Sequence, residues 1–356
     1  MWGHSIKLSL FGESHGKKIG ITIEGLPAGI KLDWEQIHQE MNRRKPGKSQ
    51  IATARIEDDA VEIISGYFNE HTTGSPLTAL ISNNDTRQHD YDLTKNLMRP
   101  SHADFTIYMK YDGFNDYRGG GYSSGRITAP LVFAGAIAKQ ILEEKGIFVG
   151  AHIKKIGSVT DAPFDEENLS ATTFKTVASL PLPVINEGII PQIEDVIMSV
   201  KNDGNSIGGL VECGIIGLPV GIGEPFFDSI ESTLSHLLFS IPAIKGVEFG
   251  AGFEFVNLTG DVANDSFYYE DDVIKTKTNY NGGVLGGIST GMPVVLTCVI
   301  KPTPSIAKPQ ATVDIKKEKN DIIRITGRHD PCIVPRIVPV VEAVSAIGIL
   351  DLVMRG

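Results

Sequence analysis

The sequence predicts an α+β fold built as a pseudo-symmetric sandwich, and three observations lead to this prediction. Segments with helical periodicity and segments with strand periodicity both occur along the 356 residues. The 38 glycines and 19 prolines are spread along the chain with no low-complexity block or linker, which indicates one continuous domain over residues 1–356. In addition, one strand, turn and helix pattern occurs twice.

The repeated pattern begins at Gly25 and again at Gly217. The first copy reads Gly-Leu-Pro-Ala-Gly-Ile and the second reads Gly-Leu-Pro-Val-Gly-Ile. In both copies a strand-like segment precedes the turn, and an aspartate, Asp33 or Asp228, lies near the start of the following helix. A common turn that recurs by chance would explain the shared letters. A duplicated strand, turn and helix unit would also repeat the conformation.

The first helix is predicted to begin after Asp33, because Asp33 followed by Gln36 has the pattern of a capping box. Apolar side chains then recur at helical spacing, at Trp34, Ile37 and Met41. Pro46 and Gly47 end this helix. Three basic residues are therefore left at its C-terminal end, namely Arg43, Arg44 and Lys45.

A second helix, over residues 128–144, is apolar on nearly every side and is therefore predicted to be buried at the centre of the fold. It begins near Pro130 and is stopped by Gly146. Further helices are predicted at residues 191–201, 228–239 and 335–353. Strands are predicted at residues 210–216 and 294–300.

Net charge and cysteine usage limit the possible partners. A formal net charge of -10 argues against broad, sequence-independent binding to nucleic acid or to an anionic membrane, so an anionic ligand needs a local basic pocket. No apolar run follows a basic N-terminal segment or is long enough to span a bilayer, so a cytoplasmic location is expected. The cysteines are odd in number and far apart, which predicts reduced, mostly buried thiols at Cys213, Cys298 and Cys332.

Three short segments combine an ionisable side chain with a rigid turn. They are residues 12–16 (Gly-Glu-Ser-His-Gly), 99–104 (Arg-Pro-Ser-His-Ala-Asp) and 327–332 (Gly-Arg-His-Asp-Pro-Cys). Because imidazole titrates near neutral pH, His15 and His102 are candidates to donate protons to a leaving phosphate or to an anionic cofactor. A structural role explains each histidine about as well, since a lone histidine is more often a satisfied structural residue.

Two loops are suited to binding an anion. Residues 117–126 are glycine-rich and run into the buried helix, so backbone amides, hydroxyls and guanidinium groups converge near the positive end of that helix. This suits a phosphate or a flavin, although a plain flexible turn has the same composition and neither a P-loop nor a dinucleotide-binding pattern is present. Residues 301–305 (Lys-Pro-Thr-Pro-Ser) form either a stiff exit from a strand, with a cation and two hydroxyls, or an inert loop.

A metal site is not predicted. Imidazole, carboxylate and thiolate groups are available, at His15, His102, His329, Asp330 and Cys332. Their spacing does not favour ligation, because the sequence has no His-x-x-x-His and no His-Glu-x-x-His pattern.

Taken together, these segments resemble the chorismate synthase family, in that family's order and over nearly the whole chain. The segments are residues 12–16, 43–47, 99–104, 116–121, 301–305 and 327–332. The combination of Gly-Glu-Ser-His-Gly near the N-terminus with Gly-Arg-His-Asp-Pro-Cys near the C-terminus is specific. The resemblance implies a single-domain β-α-β sandwich and a homotetramer.

The resemblance also implies a reaction, the trans 1,4-elimination of phosphate from 5-enolpyruvylshikimate 3-phosphate to give chorismate, the last common step of aromatic amino acid biosynthesis. Reduced FMN is required although there is no net redox change, and an external flavin reductase or reductant supplies it, with NADPH as a possible source of reducing equivalents. By this resemblance His15 protonates the departing phosphate and His102 keeps the reduced flavin protonated. Asp330, with help from Ser14, accepts a proton from the flavin N5.

Two sets of binding residues are implied by the same resemblance. The cofactor set comprises Tyr122, Ser123, Ser124, Pro242, Ala243, Gly286, Lys301, Pro302, Thr303, Pro304, Ser305 and Arg328. The substrate or NADP set comprises Arg43, Arg44, Arg118 and Arg126. Bidentate guanidinium contacts to carboxylate and phosphate groups explain why arginines are numerous in the second set.

Several positions depart from the family's commonest pattern. Tyr122 stands where many members have arginine, Ser101 replaces a glycine, and Pro242 replaces an asparagine. Gln50 lies where some members carry a second nucleotide-linked arginine. The departures at Tyr122 and Gln50 leave open a degenerate relative that binds flavin or an anionic metabolite without turnover. The histidine and aspartate residues leave open a second alternative, a metal-dependent phosphohydrolase.

Overall fold

The computed structural model describes residues 1–45, 58–84, 95–325 and 330–355. The described helices are α1 (Trp34–Arg44), α2 (Asp104–Lys110), α3 (Thr128–Glu143), α4 (Ala171–Ser179), α5 (Ile190–Asn202), α6 (Ile230–Leu238), α7 (Gly260–Ala263) and α8 (Val334–Val353). The described strands are β1 (Lys7–Gly12), β2 (Lys18–Glu24), β3 (Val61–Ser65), β4 (Tyr67–Phe68), β5 (His71–Thr72), β6 (Leu77–Ser82), β7 (Phe148–Ile156), β8 (Val159–Thr160), β9 (Gly209–Ile216), β10 (Ile244–Phe249), β11 (Phe267–Glu270), β12 (Val273–Thr276), β13 (Val284–Leu285), β14 (Ile288–Ser289), β15 (Val294–Ile300), β16 (Gln310–Asp314) and β17 (Lys319–Ile323).

Helices α3 and α8 form a layer between two antiparallel sheets. The first sheet has the strand order β1-β2-β6-β3, and the second has the order β10-β15-β9-β7-β8. Helix α3 packs on β2 and β6, helix α8 packs on β7 and β9, and the two helices pack against each other. The predicted α+β sandwich is therefore confirmed.

Helix α3 is the buried central helix that the sequence predicts. Every residue from Thr128 to Leu142 is buried, because apolar side chains occupy all faces of the helix rather than one stripe. Helix α8 approaches α3 closely at Gly135, where a Cβ atom would lie only 2.2 Å from the Cβ of Ala343. The absence of a side chain at Gly135 is thus what allows the two helices to meet.

The two halves of the chain repeat one topology. In chain order the first half runs β1, β2, α1, β3, β6 and α3, and the second runs β7, β9, α6, β10, β15 and α8. Omitting the short edge strand β8, the sheet orders β1-β2-β6-β3 and β7-β9-β15-β10 correspond strand for strand. The duplication therefore extends well beyond the two six-residue turns that first indicate it.

The first of these turns is held by one threonine. Thr72, in β5, donates its hydroxyl to Pro27 O at 2.6 Å and accepts from the Ile30 N–H at 3.0 Å. Gly25 and Gly29 have φ angles of 88° and 85°, a left-handed conformation that glycine adopts without steric cost. The turn thus has two glycine corners and a single hydroxyl that satisfies both a donor and an acceptor.

The second turn repeats these contacts with a serine. Ser289, in β14, donates its hydroxyl to Pro219 O at 2.6 Å and accepts from the Ile222 N–H at 2.9 Å. Gly217 and Gly221 again have positive φ angles, 76° and 99°. The two distant segments share the same conformation and the same hydrogen bonds. This confirms the hypothesis of a duplicated unit and rejects the alternative, a common turn whose letters recur by chance.

The predicted element boundaries hold to within a residue except at α6. That helix was expected to start at Asp228, but it begins at Ile230, because the Ser229 hydroxyl accepts from the Ser232 N–H at 3.0 Å and so caps the helix. Asp228 lies in the 3₁₀ turn before it and pairs with Arg355 at 2.8 Å.

The predicted capping box of α1 is correct in only one of its two hydrogen bonds. Asp33 accepts from the backbone N–H groups of Glu35 and Gln36, as a cap should. The Gln36 side chain does not return to Asp33; it donates to Glu143 Oε1 at 2.9 Å. The Asp33 N–H donates instead to Gln140 Oε1 at 3.1 Å. The neighbouring helix α3 supplies the partner that the local pattern was expected to supply.

The cysteines are buried, as predicted. Cys213, Cys298 and Cys332 are all free thiols inside the protein. Burial raises the pKa of Cys213 to about 12, so this thiol stays protonated near neutral pH. None of the helices in the described ranges has an apolar stretch of the length that a bilayer requires.

Candidate active site

A cavity of about 830 Å³ lies where α3 and α8 begin. Thr128, the first residue of α3, and Ile333, which precedes α8, both line it. Arg44 contacts the start of each helix, since its Nε donates to Thr128 Oγ1 at 3.1 Å and its carbonyl accepts from Arg336 Nε at 3.2 Å. Both helices therefore begin beside the cavity, where the partial positive charge of a helix N-terminus favours an anionic ligand.

One wall of the cavity carries Ser14 and His15, in the loop between β1 and β2. Ser14 Oγ lies 3.0 Å from His15 Nδ1, and the Ser14 N–H donates to Gly121 O at 3.1 Å. The glycine-rich segment passes directly over this pair. A Cβ atom on Gly119, whose φ is 69°, would lie 2.5 Å from His15 Nδ1, so only glycine fits at this position.

His102 lies on the same wall and connects the two halves of the chain. Its Nε2 is 2.7 Å from the hydroxyl of Ser305, which belongs to the loop that follows β15. The preceding residue, Ser101, has a φ of 59°, in the left-handed region that disfavours a side chain. This conformation explains physically why glycine is the usual residue at that position in the family pattern.

The segment around His102 is tied to the glycine-rich segment by Arg99. Its guanidinium makes two contacts with the Asp104 carboxylate, at 2.6 Å and 2.7 Å, and also donates to Gly119 O. A bidentate pair of this kind fixes direction as well as distance. Arg99 and Asp104 thereby hold the segments that carry His102 and cover His15 in one arrangement.

The residues that the second half of the chain contributes to the cavity form a second wall, which meets the first at Ser101 and His102 and carries two lysines. Lys301 donates from Nζ to Ser101 O at 2.7 Å, and Lys245 lies nearby. Burial, and then repulsion from Lys245, lowers the pKa of Lys301. A bound anion would relieve this repulsion. The hydroxyl of Thr303, on the same wall, is buried and has no hydrogen-bond partner among the described residues.

These features fit the flavin mononucleotide that the resemblance implies. The cavity volume falls within the range of roughly 300–1,000 Å³ that is typical of small-molecule sites. Its walls combine apolar surface with hydroxyl and ammonium groups, and a buried hydroxyl without a partner indicates a place for a polar ligand atom. The apolar lining residues are Leu10, Ile127, Leu131, Phe239, Ile241, Ile244, Ile323, Ile325 and Ile333.

Most residues of the predicted catalytic and cofactor sets meet in this cavity. The lining residues from those sets are Ser14, His15, His102, Tyr122, Ser123, Ser124, Pro242, Ala243, Lys301, Thr303, Pro304 and Ser305. Pro302 is exposed on the same loop, and Gly286 lies in the turn between β13 and β14; neither lines the cavity. Arg328 lies outside the described residues, as do Gln50 and His329.

Two of the predicted arginines, Arg44 and Arg126, lie directly behind the cavity rather than in it. Both are buried and both pair with the buried carboxylate of Asp59, Arg44 at 3.0 Å. Burial alone would raise the pKa of Asp59, but the two guanidinium groups outweigh it and lower that pKa. Arg44 also contacts Gly125 O and Thr128, so this buried cluster supports the turn that leads into α3.

Arg118 is paired locally and does not line the cavity. Its guanidinium makes two contacts with Asp116, at 2.8 Å and 2.7 Å. Hydrogen bonding from Arg118 is the main cause that lowers the pKa of Asp116. The carbonyl of Arg118 accepts from the Ser14 hydroxyl at 3.4 Å, so Arg118 contacts the loop that carries Ser14 and His15 through its backbone.

Arg43 and Asp330 belong to a different depression, a groove of about 1040 Å³ between α1, α4 and the start of α8. Arg43 pairs with Glu342 at 2.6 Å and Glu40 at 2.7 Å, and Lys139 joins the same buried network. Asp330 pairs with Arg336. Although this groove is larger, its buried charges are already paired with one another, so the histidine-lined cavity is the better candidate for chemistry.

Three residues important to the site escape the sequence analysis. Lys245 lines the cavity. In the sequence its only signal is that it is a single cation in an otherwise apolar stretch after Ala243. Asp59 and Asn83 lie at the ends of strands on the cavity side, where their partners are distant in sequence.

Within the part of the chain that the structure describes, no three His, Cys, Asp or Glu side chains are grouped as metal ligands.

Comparison with known proteins identifies the family. Residues 6–354 match the family model described as Chorismate synthase. Curated chorismate synthases from Dehalococcoides mccartyi and Methanosarcina barkeri are 44% and 43% identical, over 99% and 100% of this chain and 96% of each relative. A solved structure described as "Crystal Structure of Chorismate Synthase" superposes with a TM-score of 0.77 at 26% identity, over 99% of this chain and 93% of that one. The chain therefore belongs to the chorismate synthase family, whose members are lyases of the shikimate pathway.

Proposed function

We propose that this chain converts 5-enolpyruvylshikimate 3-phosphate into chorismate and inorganic phosphate by trans 1,4-elimination, with reduced FMN as its cofactor. The observation that carries the proposal is the meeting of two histidines and two lysines in one cavity beside the starts of two helices. This arrangement supplies proton donors and an anion-binding environment together. Family membership supports the same reaction.

The cations and helix ends bind and orient the anions. Substrate and cofactor together carry two carboxylates and two phosphates. Lys245 and Lys301 supply charge from the second wall, and the N-terminal ends of α3 and α8 supply partial positive charge beside the cavity. Ser124 and Thr303 provide hydroxyls for the same ligands. The apolar lining excludes water, which strengthens each of these contacts.

The histidines handle the protons. Ser14 contacts Nδ1 of His15, so we assign the proton given to the leaving phosphate to Nε2 of His15. Ser305 holds His102 at Nε2, in a fixed orientation from which His102 keeps the reduced cofactor protonated. When bound, the reduced flavin supplies electron density that helps to expel phosphate and recovers it at the end of the cycle.

Several further parts of the proposal stay predictions. Asp330 is assigned, with help from Ser14, to accept a proton from the flavin N5, although Asp330 pairs with Arg336 in the neighbouring groove. An external reductase or reductant supplies reduced flavin, and NADPH is a possible electron source that would contact Arg43, Arg44, Arg118 or Arg126. The enzyme is expected to act as a homotetramer in the cytoplasm.

The test is an anaerobic assay of phosphate and chorismate with chemically reduced FMN, run beside oxidised FMN and a chelator control. We expect phosphate and chorismate in equal amounts, only with reduced FMN and without loss in chelator. Phosphate without chorismate would instead indicate a phosphohydrolase. Flavin binding without any product would indicate a degenerate relative that binds flavin without turnover, the alternative suggested by the departures at Tyr122 and Gln50.

A further inference from the structure

We propose that Asn83 is a positioning residue. Its side-chain amide holds the histidine loop, residues 13–17, so that His15 keeps the position in the cavity from which it donates its proton. This inference rests on the proposed function, because it assigns Asn83 a role through the proton donor His15. Nothing in the sequence pattern draws attention to Asn83, since its partners are distant along the chain.

Strand pairing brings Asn83 to the histidine loop. In the antiparallel pair of β2 and β6, Lys18 lies opposite Ser82, so Asn83 is the first residue beyond the ladder. Its backbone N–H donates to Lys17 O at 3.2 Å, which continues the pairing by one more bond. The side chain of Asn83 therefore lies beside the loop between β1 and β2.

The amide of Asn83 spans the two residues that flank Ser14 and His15. Its Nδ2 donates to Glu13 O at 3.0 Å and to Gly16 O at 2.8 Å. One amide group thus closes the loop on both sides of the catalytic pair. Because each carbonyl is fixed relative to the same nitrogen, a shift of the loop would break at least one of these bonds.

The orientation of the amide is determined by its partners. Its Oδ1 accepts from Arg126 Nε at 2.9 Å, and a guanidinium can only donate. The two loop carbonyls can only accept. Exchange of the amide oxygen and nitrogen would place donor against donor and acceptor against acceptor, so a single orientation satisfies all three contacts.

Arg126 connects this amide to the buried charges behind the cavity. Its guanidinium pairs with Asp59 and donates to Ser82 O at 3.1 Å. Its backbone N–H donates to the hydroxyl of Ser124, a cavity residue, at 3.2 Å. A continuous set of hydrogen bonds therefore runs from Asp59 through Arg126 and Asn83 to the histidine loop.

This arrangement predicts a specific kinetic effect. A catalytic group displaced by about 1 Å can lose on the order of 10²-fold in rate even when the fold is intact. Loss of the Asn83 donors should therefore lower kcat through His15. A purely structural role in closing the hairpin would lower stability, but it would not make the effect of Asn83 depend on the presence of His15.

Two substitutions separate the contacts of Asn83. Asn83→Asp keeps the shape of the side chain and an acceptor for Arg126 but removes both donors to the loop. Asn83→Ala removes all contacts without adding charge. The control is Asn186→Asp, which makes the same chemical change at a helix cap outside the cavity, where Asn186 Oδ1 only accepts from the Gly188 N–H.

The experiment measures kcat and KM anaerobically, with saturating reduced FMN, in the wild-type and His15→Ala backgrounds. We expect both Asn83 variants to lower kcat by about 10- to 100-fold in the wild-type background. In the His15→Ala background each should change kcat by less than about twofold, because the group that Asn83 positions is gone. Asn186→Asp should leave kcat unchanged in both backgrounds.

An unchanged kcat in folded Asn83→Ala, or equal losses in both backgrounds, would overturn the proposal. A second readout does not need turnover: the imidazole NMR signal of His15, assigned from its loss in His15→Ala. We expect Asn83→Ala to shift this signal and to leave the His102 signal in place. If wild-type enzyme forms no chorismate, the proposed function fails, and an unshifted His15 signal would then separately overturn the positioning role.

Discussion

The duplicated turns and the two cavity walls have diverged to very different extents. Far from the cavity, the turns at residues 25–30 and 217–222 keep the same pair of hydrogen bonds, with Thr72 in one and Ser289 in the other. At the cavity the two halves share no such pattern. The first half supplies both histidines, and the second supplies both lysines.

The difference indicates that the duplication provides a scaffold and that the chemistry is divided between its halves. Both halves place the start of a helix beside the cavity, and this feature is common to the two halves. Proton transfer is then assigned to the wall with His15 and His102, and anion binding to the wall with Lys245 and Lys301. Substitutions on the two walls should therefore have separable effects.

The largest expected effect comes from the first wall. His15→Ala and His102→Ala should each lower turnover by about 10²- to 10⁴-fold, because each removes a positioned proton donor. Flavin affinity should change little. Anaerobic turnover and flavin titration of the same preparations check this, with thermal unfolding to establish that the fold is intact. Unchanged turnover in either variant would refute the role assigned to that histidine.

The next effect comes from the second wall. Lys301→Ala should weaken FMN binding by about 10- to 100-fold, the value of a charge-assisted hydrogen bond, with little loss of kcat at saturating flavin. The pKa of Lys301 is lowered, so its ammonium is charged below that pKa and neutral above it. FMN affinity of the wild type should therefore fall as pH rises through that pKa, and Lys301→Ala should lack this decline. A loss of kcat at saturating flavin would contradict the division between walls.

A smaller and matched effect is expected at the duplicated turns. Thr72→Val and Ser289→Ala each remove a hydroxyl that satisfies a backbone donor and a backbone acceptor, and each should cost about 1–3 kcal/mol of unfolding free energy. Turnover at a permissive temperature should not change in either. Urea unfolding checks the prediction. Clearly unequal losses of unfolding free energy would mean that the two turns share a conformation but do not contribute equally to stability.

The smallest effects are expected at two strained cavity residues, one on each wall. Ser101 and Ala243 have φ angles of 59° and 81°, where a side chain is disfavoured. Ser101→Gly and Ala243→Gly should each raise the unfolding free energy, by about 1 kcal/mol or less, since glycine also gains freedom in the unfolded chain. Thermal unfolding measures the change. A decrease in stability would show that contacts of the side chain outweigh the backbone strain.

Much of the fold could be predicted because its signals are local. The apolar composition of α3 predicted its burial, and the two similar turns raised the hypothesis of a duplication, which their shared hydrogen bonds bear out. The details that sequence missed involve distant partners. Gln140 of α3 takes the backbone bond assigned to Gln36, and Ser229 rather than Asp228 starts α6.

The candidate site shows the same limit. Motifs with distinctive letters located His15 and His102, but the arginines were assigned to ligand binding by resemblance to the family, which does not reveal their partners within the fold. Arg43 lies within a buried ion network, and Arg126 is shared between Asp59 and Asn83. No local pattern could specify these pairs, because strand pairing and helix packing create them.

The central claim is that the cavity at the starts of α3 and α8, and not the larger groove, holds the cofactor. The most direct measurement is a crystal structure of the enzyme with FMN and substrate bound. The account predicts flavin in the cavity of about 830 Å³, in contact with Ser124, Thr303 and Lys301. Flavin bound only in the groove of about 1040 Å³, beside Arg43 and Asp330, would contradict it.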